Sequence, residues 1–109
     1  MSKKSFKVID GVAVAAGATG NPIPIKIEES INQAIVYIKN TGASTSLTVN
    51  IYSSYDGIEE GVLLPVTLDT TLESIPIIID VVPEYLIFKP TNNDTQHATT
   101  FDVNITKIA

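Results

Sequence analysis

Sixteen Ile, ten Val and twelve Thr make up 38 of the 109 residues. Side chains branched at Cβ are stiff in a helix and pack well on a pleated surface, so a chain this rich in them is predicted to be all-β. There is no cysteine, which excludes disulfides and thiolate metal sites and leaves packing to hold the fold. A chain of this length supports one core. Residues 1–109 therefore read as a single domain, with residues 1–5 as a flexible N-terminal arm.

Eight short segments bounded by Gly, Pro, Asn or Asp read as strands. Phe6 to Val14 is interrupted by Gly11, and Ile23 to Ile27 carries Pro24, which removes a ladder donor and assigns it to an edge. Gln33 to Lys39 is apolar on both faces and should be central. In Ser46 to Ser54, Leu47, Val49 and Ile51 alternate with Thr48, Asn50 and Tyr52, so one face is buried and the other wet. Val62 to Leu68 carries Pro65, another edge signal, and Ile75 to Val82 is flanked by Pro76 and Pro83. Glu84 to Lys89 and Thr99 to Lys107 complete the set. Strands about ten residues apart with turn signals between them predict an antiparallel two-sheet sandwich of jelly-roll type.

The predicted core is Ile35, Val36, Ile38, Leu47, Val49, Ile51, Ile77, Ile79, Leu86, Phe88, Phe101, Val103 and Ile105. Ile27, Ile31 and Ile35 also stand at i, i+4, i+8, which leaves a helical turn over Glu28 to Asn32 as an alternative. A weak repeat aligns Ile35 to Thr41 and Leu47 to Ile51 with Tyr85 to Thr91 and Phe101 to Ile105. It predicts two similar hairpins in equivalent places of the sandwich.

Seven Lys against twelve Asp plus Glu give a net charge of −5, with no Arg. A nucleic-acid binder needs a cationic face, so nucleic acid is excluded as a partner. No apolar run approaches a membrane span or a signal-peptide core, which predicts no membrane partner and synthesis in a cytoplasm. The one histidine, His97, falls in a polar loop with no nucleophile motif around it, and a single His without Cys makes no zinc site. The glutamates after the Asp56-Gly57 turn lack the alternating ligands of an EF-hand, although Asp56, Glu59 and Glu60 are where a loop cation would go. These inventories predict no catalytic residue, no cofactor and no metal. The only candidate ligand surface is Tyr52 with Tyr55, an aromatic platform of the kind that stacks on sugar rings.

The order of features carries a resemblance: Val14-Ala15-Ala16-Gly17, an Ile-Pro-Ile strand, Asn40-Thr41-Gly42, Ser53-Ser54-Tyr55-Asp56-Gly57, and a closing Phe101-Asp102-Val103-Asn104-Ile105. It resembles the small β-sandwich structural proteins of tailed bacteriophages and prophages that decorate capsids or serve as tail and baseplate accessories. The resemblance implies a non-enzymatic virion component that meets other virion proteins, such as the major capsid or tail protein. It implies assembly around a symmetry axis, with a trimer favoured. A mean hydropathy of +0.23 agrees with a homo-oligomer, because it leaves apolar surface for another subunit. The alternative reading is a carbohydrate- or cell-surface-binding module.

Overall fold

Period-two alternation turns one face of each strand inward, and in the computed structural model two such faces close on each other. The structure describes residues 3–27, 31–61, 63–74, 76–80 and 82–108. The strands are β1 (Lys3–Val14), β2 (Ile23–Lys26), β3 (Gln33–Asn40), β4 (Leu47–Ser54), β5 (Leu63–Leu68), β6 (Ile77–Ile79), β7 (Tyr85–Asn92) and β8 (Thr99–Ile108). One sheet is ordered β1-β8-β3-β6 and the other β2-β7-β4-β5. The pairs β1·β8, β2·β7, β3·β6 and β4·β5 are nested and antiparallel, first strand with last and so inward. That nesting is a jelly roll.

Only β4 and β5 form a hairpin between consecutive strands; every other connection passes from one sheet to the other. The repeated segments β3–β4 and β7–β8 are therefore inter-sheet arches and not the hairpins expected from their sequence. They do hold equivalent places. Advancing every strand number by four exchanges the two sheets and maps β3·β8 onto β7·β4.

Pro24 and Pro65 lie in β2 and β5, the two edges of the second sheet, as their missing N–H groups require. Pro90 is the exception, because β7 is an inner strand and runs on through it. Its carbonyl accepts from the Gly20 amide at 2.8 Å. The N and C=O of a strand residue point to the same side, so the proline ring nitrogen faces the side where β2 has already ended. A Cβ on Gly20 would stand 2.9 Å from the Pro90 ring, which is why that chain segment carries glycine.

The core contains Val36, Ile38, Leu47, Val49, Ile51, Leu86, Phe88, Phe101, Val103 and Ile105, with Ile77 and Ile79 packed against it. Ile9, Val14, Ile27, Ala34 and Leu68 join them. Ile35 does not belong to the core: in β3 the buried positions are Ala34, Val36 and Ile38, so Ile35 and Tyr37 point outward and are only half-buried. The arm is shorter than expected, since Lys3 to Ser5 pair with Thr106 to Ile108 and the Ser5 and Thr106 hydroxyls lie 2.8 Å apart. Gly11 does not divide β1. It takes a φ of +63° in a bulged stretch and donates its amide to Asp102 Oδ1 at 2.7 Å. Of the alternative helical turn over Glu28 to Asn32, residues 28–30 lie outside the described residues, and Ile31 and Asn32 are not helical.

At one end of the sandwich the two arches meet in a buried polar cluster. Asn40 Nδ2 donates to the carbonyls of Ser44 and Asp69 at 2.9 and 3.1 Å, and its Oδ1 accepts from Thr99 Oγ1 at 2.6 Å. Asn92 Nδ2 donates to the His97 carbonyl at 2.7 Å, and its Oδ1 accepts from Ser44 Oγ at 2.7 Å. Asn40, Ser44, Asn92 and Thr99 are all buried. Gly42 fits this crowding because a Cβ there would lie 2.7 Å from Thr99 Cα and 2.8 Å from the Thr100 nitrogen.

Two predictions test this packing. Val49→Asp should unfold the domain by placing a carboxylate in the core, whereas Asn50→Asp, on the outward face, should change stability by no more than about 0.5 kcal/mol in urea titrations. Asn40→Ala should cost about 2–4 kcal/mol, because it strands two carbonyls and a hydroxyl in the interior.

Candidate functional site

Tyr52 and Tyr55 do not form one platform. Tyr52 lies on the outward face of β4, in register with Ile87 of β7, which is itself in register with Pro24 of β2. Ile87 is buried on that outer face, so the Pro24–Ile87–Tyr52 row covers a sheet. Tyr55 stands in the following turn at 72% exposure and lines an open concavity of about 410 Å³ with Ser53, Glu59, Glu60, Pro83 and Glu84. Tyr52 is not part of that lining.

The Asp56-Gly57 turn is built by its own carboxylate. Asp56 Oδ1 accepts from the Ile58 and Glu59 amides at 2.8 and 2.9 Å and from the Ser54 hydroxyl at 3.1 Å. Those bonds, the Glu59 amide foremost, hold the Asp56 carboxyl below its ordinary value. Gly57 takes a φ of +82°, the conformation that an Asp-Gly turn supplies cheaply. The carboxylate is thus engaged by backbone, and no group of three His, Cys, Asp or Glu suited to a metal occurs among the described residues.

His97 is exposed, and its Nδ1 lies 2.9 Å from Asp94 Oδ2. The geometry is that of an oriented imidazole, but the same carboxylate is the hub of a loop clamp. Asp94 Oδ1 accepts from the Gln96 and His97 amides at 2.9 and 3.2 Å, and Oδ2 accepts from the Thr45 amide and hydroxyl at 3.1 and 3.2 Å. Asp94 thereby ties the β3–β4 arch to the β7–β8 arch above the buried asparagines. Sequence reasoning missed it because Asn93-Asp94 reads as ordinary loop punctuation.

The Gln96 amide, then the Thr45 amide and the His97 ring, hold the Asp94 carboxyl far below the ordinary carboxylate range. The folded state therefore binds fewer protons than the unfolded state. The resulting stability is present above the unfolded value of about 3.9 and is lost as pH falls toward the lower folded value. Melting temperatures measured from pH 5 to pH 2 should drop for the wild type, and Asp94→Asn should start lower and show a shallower drop.

The second concavity, about 580 Å³, lies between edge strands β5 and β6 and is lined mainly by apolar side chains, including Leu64, Val66, Leu72, Pro76 and Ile77. Leu72 is half exposed. Among the described residues, no hydrogen bond joins a serine lining either concavity to a glutamate beside it.

No protein-family model matches the chain, and no curated protein matches it. Among solved structures it is similar to a chain from Bacillus endospore appendages, which form a family of disulfide-linked pili. The superposition has a TM-score of 0.51 and 14% sequence identity, covering 98% of this chain and 90% of that one. At that identity the likeness is one of fold, and it is to an appendage subunit and not to a virion protein.

Proposed function

We propose that the protein is a non-enzymatic structural subunit of a surface or particle assembly built from many copies of itself. The observation that carries this reading is the distribution of exposed apolar side chains. Of the six exposed large apolar side chains among the described residues, Leu64, Leu72 and Ile78 lie on or beside the β5 and β6 edges, the first two lining a groove with apolar walls. A monomer in water has no use for that surface, and burying apolar area at roughly 25 cal/mol per Å² drives association.

Two placements suit such a subunit. The sequence resemblance favours a virion component, either a capsid decoration protein or a tail or baseplate accessory, and jelly rolls are common in viral shells. The fold likeness favours a surface appendage. In either placement this sequence, having no cysteine, offers no disulfide link between subunits.

A second reading, a carbohydrate-binding module, is supported by Tyr55 alone, an exposed ring beside an open concavity.

Light scattering on purified protein is expected to give a mass well above 11.7 kDa that rises with concentration, and a mass of 11.7 kDa at every concentration would remove the reading. Electron microscopy of the same sample separates the placements. Filaments point to an appendage, and rings that bind undecorated phage heads point to a virion. Retention on cell-wall glycan that Tyr55→Ala abolishes, with no assembly, points to the binding module.

A further inference from the structure

Charge is divided along this chain. Residues 40–88 contain seven carboxylates and no lysine, a net of −7, while residues 1–39 carry five lysines against three carboxylates. The fold turns that division into two unlike edges. Lys4 on β1 is the register partner of Lys107 on β8, two positions along from the Phe6–Ile105 pair, so these two lysines share the β1 edge with Phe6. Glu73 in the groove wall and Asp80 just after β6 mark the opposite edge, with Lys39 of β3 in a backbone bridge to Glu73.

The two edges also differ in shape. At the β1/β2 edge the seam between the sheets is filled by buried Ile9, Val14 and Ile27. At the β5/β6 edge it is open, because β6 is only three residues long and begins just after Pro76, leaving Leu64, Val66, Leu72 and Ile77 around a groove of about 580 Å³. The β1 edge presents an apolar projection instead. Phe6 is 45% exposed, with the Lys107 ammonium 5.0 Å from its ring centroid.

We propose that the β5/β6 groove docks the β1/β2 edge of a second copy, with Phe6 seated among Leu64, Leu72 and Ile77 and the lysines beside it facing the carboxylates of the rim. The proposal rests on the structural-subunit reading and names the contact that reading needs. Groove against groove is disfavoured, since it brings Glu73 and Asp80 against their own copies. A contact between unlike edges on opposite sides of one subunit is heterologous, so it either closes into a ring, with a trimer as the smallest, or continues as a filament. Pro65 in β5 and the shortness of β6 oppose strand addition there, which leaves side-chain packing to make the contact.

The test is charge reversal with rescue. Lys4→Glu with Lys107→Glu reverses one edge, and Glu73→Lys with Asp80→Lys reverses the other. Each reversed protein alone should associate at least tenfold more weakly than wild type by light scattering, and an equimolar mixture should recover the lost mass, since the reversed edges now match each other. Thermal melting confirms that both are folded. If the rim reversal fails to fold, Leu72→Ser supplies the groove arm and should weaken assembly by a similar factor. A wild type that assembles while ignoring the reversals, or a mixture that stays dissociated, overturns this contact and leaves the structural-subunit reading standing. A wild type of 11.7 kDa at every concentration overturns both.

Discussion

Two buried amides make this jelly roll possible. A chain that passes from one sheet to the other must leave its ladder inside the protein, where an unpaired carbonyl or amide is costly. Asn40 and Asn92 stand at the two places where inner strands end and the arches begin, and each answers the backbone groups the ladder has left. Ser44 links them by receiving from one and donating to the other, while Thr99 returns the connection to Asn40. Every buried side-chain polar atom among the described residues has a partner. A network satisfied in this way specifies one arrangement of the arches, because any slip in β3 or β7 would bury an amide without its carbonyls.

Above that network the Asp94 clamp adds a second layer, and its charge gives it a different character. The asparagines are neutral, so their contribution does not depend on pH. Asp94 bridges the same arches with an ionised carboxylate only 8% exposed, so its contribution does. Both layers lie at one end of the sandwich. The glutamate-rich turn 55–61 and the N-terminal lysines lie at the other, where Asp56 organises its own turn and Gln33 Nε2 donates to Asp80 Oδ1 at 2.8 Å.

What could be read from the sequence followed how local each signal was. The alternation of Leu47, Val49 and Ile51 fixed the inward face of β4, and Pro24 and Pro65 marked the edges of one sheet, since each depends only on the residue's own backbone and its neighbours. The arches were misread as hairpins because Asn40-Thr41-Gly42 serves a tight turn and an inter-sheet crossing equally well. Only the approach of Thr99, distant in sequence, reveals why Gly42 is there. Ile35 was assigned to the core because a fully apolar strand has no period to show which face is buried. Its exposure, beside Tyr37, follows from β3 having one covered face and one open one. Of the candidate sites, the Tyr52 and Tyr55 pair was legible as aromatic content but not as geometry, and the groove between β5 and β6 was invisible because it is made by two edges that the sequence separates by a loop.

A jelly roll has two broad faces and two narrow edges, and in this one the faces are mostly spoken for. The second sheet's outer face is closed by the Pro24–Ile87–Tyr52 row and by hydroxyl pairs such as Thr48 with Thr67 at 3.0 Å. On the first sheet, the β1 and β8 side carries the Lys7–Asp102 ion pair at 3.4 Å, while the β3 and β6 side leaves Ile35, Tyr37 and the largely exposed Ile78. That residual apolar strip runs directly to the β6 edge and so is continuous with the groove. Exposed Leu64, Leu72 and Ile78 and the shortest strand therefore coincide on one side of the molecule. The fold invests its buried polar groups in fixing the arches and leaves one edge unfilled, and that edge is the surface the proposed assembly would use.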